Sequence, residues 1–172
     1  GLVSVEVADP ALGGRFVVRV LSGVGEGQTP AWMAQRLSSA GMRPISPVVD
    51  VSNYVMLELG QPNHTYDLAR VQGRCLRVRR ARDGEEVATL DGVVRTLGPD
   101  DGVIADGNDD AIGIAGVMGG SSTEIAGDTT DILLELAWWD PMYIARSSAP
   151  RSVHPAASPR VNRGVATALW PL

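Results

Sequence analysis

Lysine is absent from this chain. All 15 basic residues are arginine, and 20 Asp and Glu residues bring the formal charge to −5. A net negative charge gives no overall attraction to nucleic acid or to an anionic membrane. Arginine-only usage fits a GC-rich coding sequence and carries no functional reading of its own. Cys75 is the single cysteine, which excludes an intramolecular disulfide framework and fits a reducing compartment. The only histidines, His64 and His154, stand in no metal-ligand spacing, so neither a metal nor another cofactor is expected. No Gly-x-Ser-x-Gly string occurs, which excludes the nucleophile elbow of a Ser-His-Asp hydrolase. No apolar run approaches the ~18 residues of a membrane span, and Gly1-Leu2-Val3 does not open a signal peptide. The expectation is a soluble, cytoplasmic protein with no membrane partner.

What is present is an ordinary globular composition, 44% hydrophobic and 20% charged over 172 residues. That length suits one domain, residues 1–172, burying roughly 70% of its unfolded surface. Val3, Val5 and Val7 alternate with Ser4, Glu6 and Ala8, the period of a half-buried strand. Asp9-Pro10 and Gly13-Gly14 end it, and residues 15–21 read as a second strand. Thr29 offers an N-cap with Pro30 at the first helical position, Trp32, Met33 and Leu37 an apolar face, and Gly41 a stop. Asp50 is placed to cap a second helix running through Tyr54 and Met56 to Gly60. Residues 74–80 alternate apolar and basic side chains, Cys75 among them as a half-buried strand thiol. Residues 86–97 read as a hairpin turning at Asp91-Gly92. Short strands are expected around 103–105, 111–115 and 132–137, then a short helix opened by Asp140-Pro141 and ended by Pro150. The proline-rich residues 150–172 read as a tail. Strands outnumber helices without regular alternation, which favours α+β over a doubly wound sheet.

Fewer residues carry chemistry. Residues 113–120, Gly-Ile-Ala-Gly-Val-Met-Gly-Gly, lack both the Gly-Lys-Ser/Thr of a P-loop and the spacing of a dinucleotide fingerprint. Gly116, Gly119 and Gly120 either let the backbone approach a ligand or make a tight turn between packed strands, and spacing leaves both open. Asn63-His64-Thr65 matches a glycosylation sequon, which is read as a chance match on the expectation that the chain is not secreted. A lone loop histidine such as His64 is more commonly structural than catalytic. The six arginines from Arg70 to Arg82 read as a phosphate-binding stripe or as a solvated, ion-paired face, and Asp83, Glu85 and Glu86 beside them favour the face. Glu135 stands inside Ile132-Leu-Leu-Glu-Leu-Ala-Trp-Trp139, where an unpaired carboxylate is costly. Such a residue is hydrogen-bonded structurally or lines a pocket, and the pocket is the expectation.

Longer strings are distinctive. Residues 43–67, RPISPVVDVSNYVMLELGQPNHTYD, are followed in order by VATLDGVVRTL, IGIAGVMGG and TTDILLELAWWDPMYIARSS. Together they closely resemble the editing region of bacterial phenylalanine–tRNA ligase beta subunits, over residues 5–165. The resemblance implies an α+β module of mixed and antiparallel sheets with flanking helices, equivalent to that subunit's third and fourth domains. It also implies hydrolysis of tyrosine wrongly attached to the tRNA for phenylalanine. Asn53 and His64 fall on the family's asparagine and histidine near the acyl ester, the expected catalytic pair. Gly116, Gly119 and Gly120 fall on the pocket wall, Ala157 on a retained pocket position, and Glu135 on the acid that accepts the tyrosine hydroxyl. Such an acceptor is selective because phenylalanine would leave it desolvated and unpaired. No protein nucleophile is implied: the pocket positions a water, helped by the terminal ribose hydroxyl of the tRNA.

Departures from the family begin after Ser148. Members carry His-Thr-Glu-Ala-Ser-Tyr-Arg-Phe-Glu-Arg-Gly where residues 154–164 read His-Pro-Ala-Ala-Ser-Pro-Arg-Val-Asn-Arg-Gly. Pro155 stands where a threonine hydroxyl lines the pocket, and proline removes that donor and a backbone N–H together. These residues support two functional expectations. One is an editing esterase acting on mischarged tRNA, slowed by Pro155 and weak in tRNA binding because of its acidic charge. The other is a module repurposed to bind or transform a small molecule in the amino-acid pocket, without tRNA. Both place His64, Glu135, Asn53 and residues 116–120 around one cavity.

Overall fold

The computed structural model describes residues 2–25 and 27–148. The chain begins with β1 (Ser4–Val7), β2 (Arg15–Ser22), α1 (Ala31–Ser39), α2 (Pro47–Leu59) and β3 (Asn63–Asp67). It continues through β4 (Cys75–Arg80), β5 (Glu86–Ala88), β6 (Val94–Thr96), β7 (Gly102–Ala105), β8 (Ala111–Ile114) and β9 (Met118–Gly119), then β10 (Asp131–Trp138) and α3 (Pro141–Ser148). A five-stranded sheet runs β1-β4-β7-β8-β9, a three-stranded sheet runs β2-β10-β3, and β5 pairs with β6. β1 lies parallel to β4, while the other strand pairs among the described residues are antiparallel. The class is therefore α+β, with mixed and antiparallel sheets and flanking helices. β1 forms the edge of the five-stranded sheet, with Val5 and Val7 38% and 36% exposed.

The register of β10 decides which side chains meet in the interior. Leu133, Glu135 and Ala137 stand opposite Val20, Val18 and Phe16 of β2, and Leu133 and Glu135 stand opposite Tyr66 and His64 of β3. Residues directly opposite each other share a face. That face carries His64, Tyr66 and Glu135 among Leu133, Ala137 and the half-buried Phe16, Val18 and Val20. It packs into one continuous core with Leu76, Val78, Val103, Ile104, Ile112 and Ile114 of the five-stranded sheet. Each such aliphatic side chain contributes roughly 1.5–3 kcal/mol by leaving water, so the inner face is held from both sheets.

Helix starts differ from the sequence expectation. Thr29 does not cap α1, which begins after Pro30 without a side-chain cap bond; its hydroxyl donates to Asp50 instead. Met33 and Leu37 face inward, but Trp32 is exposed and meets the Tyr54 ring edge-on at 5.2 Å. Pro47, not Asp50, opens α2. Asp50 lies buried in its first turn and accepts the Ile45 N–H at 2.8 Å, which ties the incoming loop to the positive end of the helix. Gly60 ends α2 in the left-handed region at φ 71°, as its position indicated. Asp140 opens α3 by accepting the Tyr143 N–H at 2.9 Å; the expected stop at Pro150 and the tail lie outside the described residues.

The hairpin turn sits where Asp91-Gly92 places it, with Gly92 at φ 78°. Arg95 locks it by donating twice to Asp91, both at 2.7 Å. The arginines around β4 form the ion-paired face. Arg77 pairs with Glu6, Arg80 with Asp9, Arg82 with Asp109, and Arg79 with both Glu85 and Asp109.

Candidate functional site

A cavity of about 420 Å³ opens where the inner face of β10 and β3 meets α2 and the β8–β9 turn. Its polar lining comes from Asn53 on α2, Asn63, His64 and Tyr66 on β3, Asp91 in the β5–β6 turn, and Glu135 on β10. Met56, Ala137, Trp139 and Ile104 supply apolar wall. β3 is held to α2 by Asn63, whose amide donates to the Ser52 carbonyl at 3.2 Å and accepts the Ser52 hydroxyl at 2.6 Å. Asn53 and His64, the neighbours of those two residues, are thereby fixed relative to each other.

Glu135 is 6% exposed, and its carboxyl accepts the Tyr66 hydroxyl. Burial pushes this carboxyl up to about 7, offset in part by the bond from Tyr66. Burial also drives the Tyr66 phenol well above its ordinary range, and the charge of Glu135 beside it acts the same way. Tyr66 therefore keeps its proton and is the donor. His64 lies edge-on to the Tyr66 ring, centroids 4.5 Å apart, and desolvation lowers its imidazole to about 4. Part of His64 still faces the cavity, so solvent there moderates the shift, and the ring is neutral at pH 7 in either case. A neutral imidazole offers one donor and one acceptor.

Two glycines are dictated by packing. A Cβ on Gly119 would run into His64 Cε1 and lie 2.5 Å from Nε2, so the imidazole can rest against β9 only over a glycine. At Gly116 the φ is +67°, and a Cβ would collide with Ile144 and lie 2.7 Å from the Trp139 ring. Gly120 donates its N–H to the Ile112 carbonyl at 2.8 Å and is not part of the cavity lining.

A match to the B3/4 domain family spans residues 13–171. This chain belongs to the B3/4 domain family. It is 47% identical over 165 residues to a phenylalanine–tRNA ligase beta subunit of Moorella thermoacetica, covering 96% of this chain and 20% of that protein. Against the corresponding subunit of Thermobifida fusca it is 50% identical over 162 residues, covering 94% of this chain and 19% of the relative. The chain thus spans about a fifth of the length of these relatives. In architecture it is similar to the crystal structure of an N-terminal fragment of the phenylalanyl-tRNA synthetase beta subunit from Pyrococcus horikoshii. That match has a TM-score of 0.60 at 12% identity, covering 88% of this chain and 50% of that one.

In this B3/4 domain, Asn53, His64, Gly116, Gly119 and Glu135 line one cavity. Gly120 is not among the lining residues, and its N–H donates to the Ile112 carbonyl. Pro155 and Ala157 lie outside the described residues. His64 sits on a strand, not in a loop. Sequence reasoning missed Tyr66, although a residue two positions after His64 shares its face if the segment is extended. Among the described residues no three His, Cys, Asp or Glu side chains gather as a metal site, and no helix is long and apolar enough to cross a membrane.

Proposed function

We propose that this B3/4 domain receives the aminoacyl end of a mischarged tRNA in its cavity and hydrolyses the ester of tyrosine attached to the tRNA for phenylalanine. The observation that carries the reading is a buried carboxyl that already accepts a phenol hydroxyl, on the strand position directly opposite His64. A cavity of about 420 Å³ lies within the ~300–1,000 Å³ of small-ligand sites. Glu135 at its buried end, already bonded to Tyr66, shares its carboxyl with the side-chain hydroxyl. The neutral His64 and Asn53 hold the ester and a water by hydrogen bonds, so the attack needs positioning and no protein nucleophile. Substituting Pro155 for a hydroxyl donor makes the reaction slow.

The test is single-turnover deacylation of tyrosyl-tRNA for phenylalanine at saturating protein. Hydrolysis by the unmodified chain, falling ~10²–10³-fold in His64→Ala, supports the reading. A second reading, a small-molecule module without tRNA, is favoured by the ion pairs that occupy Arg77, Arg79, Arg80 and Arg82. No hydrolysis, together with a small ligand retained in native mass spectrometry, would support that one.

A further inference from the structure

We propose that Tyr66 sets the side-chain selectivity of the cavity: by donating its hydroxyl to Glu135 it supplies internally the partner that a bound phenol would bring. The cavity then accepts phenyl and phenol side chains with similar affinity. This inference rests on reading the cavity as an amino-acid pocket.

A buried carboxyl selects a hydroxylated ligand chiefly through the penalty it suffers when the ligand lacks the hydroxyl. That penalty requires the carboxyl to be without another donor. Here it has one. Tyr66 and Glu135 both line the cavity, and the Tyr66 hydroxyl bonds to one carboxyl oxygen of Glu135. Tyr66 is 1% exposed, and its ring is braced edge-on by His64 at 4.5 Å. The donor is therefore held in place whether or not the cavity is occupied. Entry of a phenyl group leaves Glu135 paired, while entry of a phenol must share the carboxyl with Tyr66 or displace it. Both effects narrow the gap between the two ligands.

The probes are L-tyrosinamide and L-phenylalaninamide, titrated calorimetrically into the unmodified chain and into Tyr66→Phe. The substitution keeps the ring in the core, and a matching thermal transition confirms the fold. The expected ratio of affinities, tyrosinamide over phenylalaninamide, is below ~10 in the unmodified chain and rises ~10- to 100-fold in Tyr66→Phe, where Glu135 depends on the ligand for its donor. A double variant, Tyr66→Phe with Glu135→Leu, is expected to lose that gain, which locates it at the carboxyl and not in altered shape. An unchanged ratio in Tyr66→Phe overturns the proposal. So does a rise that survives in the double variant, or failure of both amides to bind the unmodified chain. Deacylation with an unchanged ratio would remove this inference alone; a shifted ratio without deacylation would remove the esterase reading alone.

Discussion

Replacing Glu135 with glutamine removes one proton-binding site while keeping nearly the same shape. In the folded chain this carboxyl titrates at about 7, against 4.5 for an ordinary glutamic acid. Between those values the native state holds a proton that the unfolded state has released. Stability therefore falls as pH rises through this window, by about 1.4 kcal/mol per unit and roughly 3 kcal/mol in all. The contribution is complete below 4.5 and lost above about 7. His64 acts in the opposite sense. Its imidazole is lowered from 6.5 to about 4, so the unfolded state binds the extra proton and stability falls as pH drops from 6.5 towards 4. The two slopes oppose each other where the windows overlap, and the His64 window is the narrower because part of its ring faces the cavity, so the two offset only in part. Glu135→Gln leaves only the His64 slope. The unfolding free energy of the variant, relative to the unmodified chain, should thus gain roughly 3 kcal/mol between pH 4.5 and 7.5. Urea denaturation of both proteins at half-unit intervals, followed by tryptophan fluorescence, measures it. Taking the difference cancels the carboxyls held low by arginine, namely Asp9, Asp91, Asp109 and Glu85. A difference independent of pH would refute the burial argument, and one that shrinks with rising pH would mean that the site stabilises the ionised acid.

Gly119→Ala drives a methyl group into the His64 ring and to within 3.3 Å of Leu90; a loss of ~1–3 kcal/mol in urea unfolding is expected from overpacking, with deacylation abolished. Arg79→Leu takes from Glu85 its two guanidinium bonds and leaves it the Arg82 N–H at 2.8 Å and the Arg82 guanidinium at 3.8 Å. The loss should be ~1–3 kcal/mol at pH 7, and the deficit should shrink as pH falls and Glu85 takes up a proton. The isolated chain should bind tRNA weakly at physiological salt, because a charge of −5 leaves little counterion release to drive association. Filter binding that stays tight as salt is raised would contradict this.

Much of the scaffold could be read from local signals. The turn at Asp91-Gly92 and the left-handed stop at Gly60 depend on immediate neighbours alone. β3 could not be read this way. Asn63-His64-Thr65-Tyr66-Asp67 has little strand propensity and resembles a loop; it is extended because β10 pairs with it across many intervening residues, a cause that no local window contains. The oversight hid Tyr66, whose importance comes from sharing a strand face with His64. For Glu135 the two readings, hydrogen-bonded structural acid and pocket lining, turn out to be compatible. Thr29 and Asp50 illustrate the reverse case: both are good capping residues, but they bond each other across the helix connection, a tertiary choice overriding a local preference.

β10 lies between β2 and β3, so neither neighbour meets its partner until residues 131–138 have been synthesised. Tyr66 and Glu135 are 69 positions apart, roughly 3 to 14 s of translation at ~5–20 residues per second. Through that interval Phe16, Val18, Val20 and the ring of Tyr66 have no strand to cover them, and nascent chains carry an apolar surface open to aggregation. Closure over such long separations is also intrinsically slow. The strand that completes the three-stranded sheet is the same one that brings the carboxyl to His64. A chain released before residue 131 would keep the histidine and have no pocket to put it in.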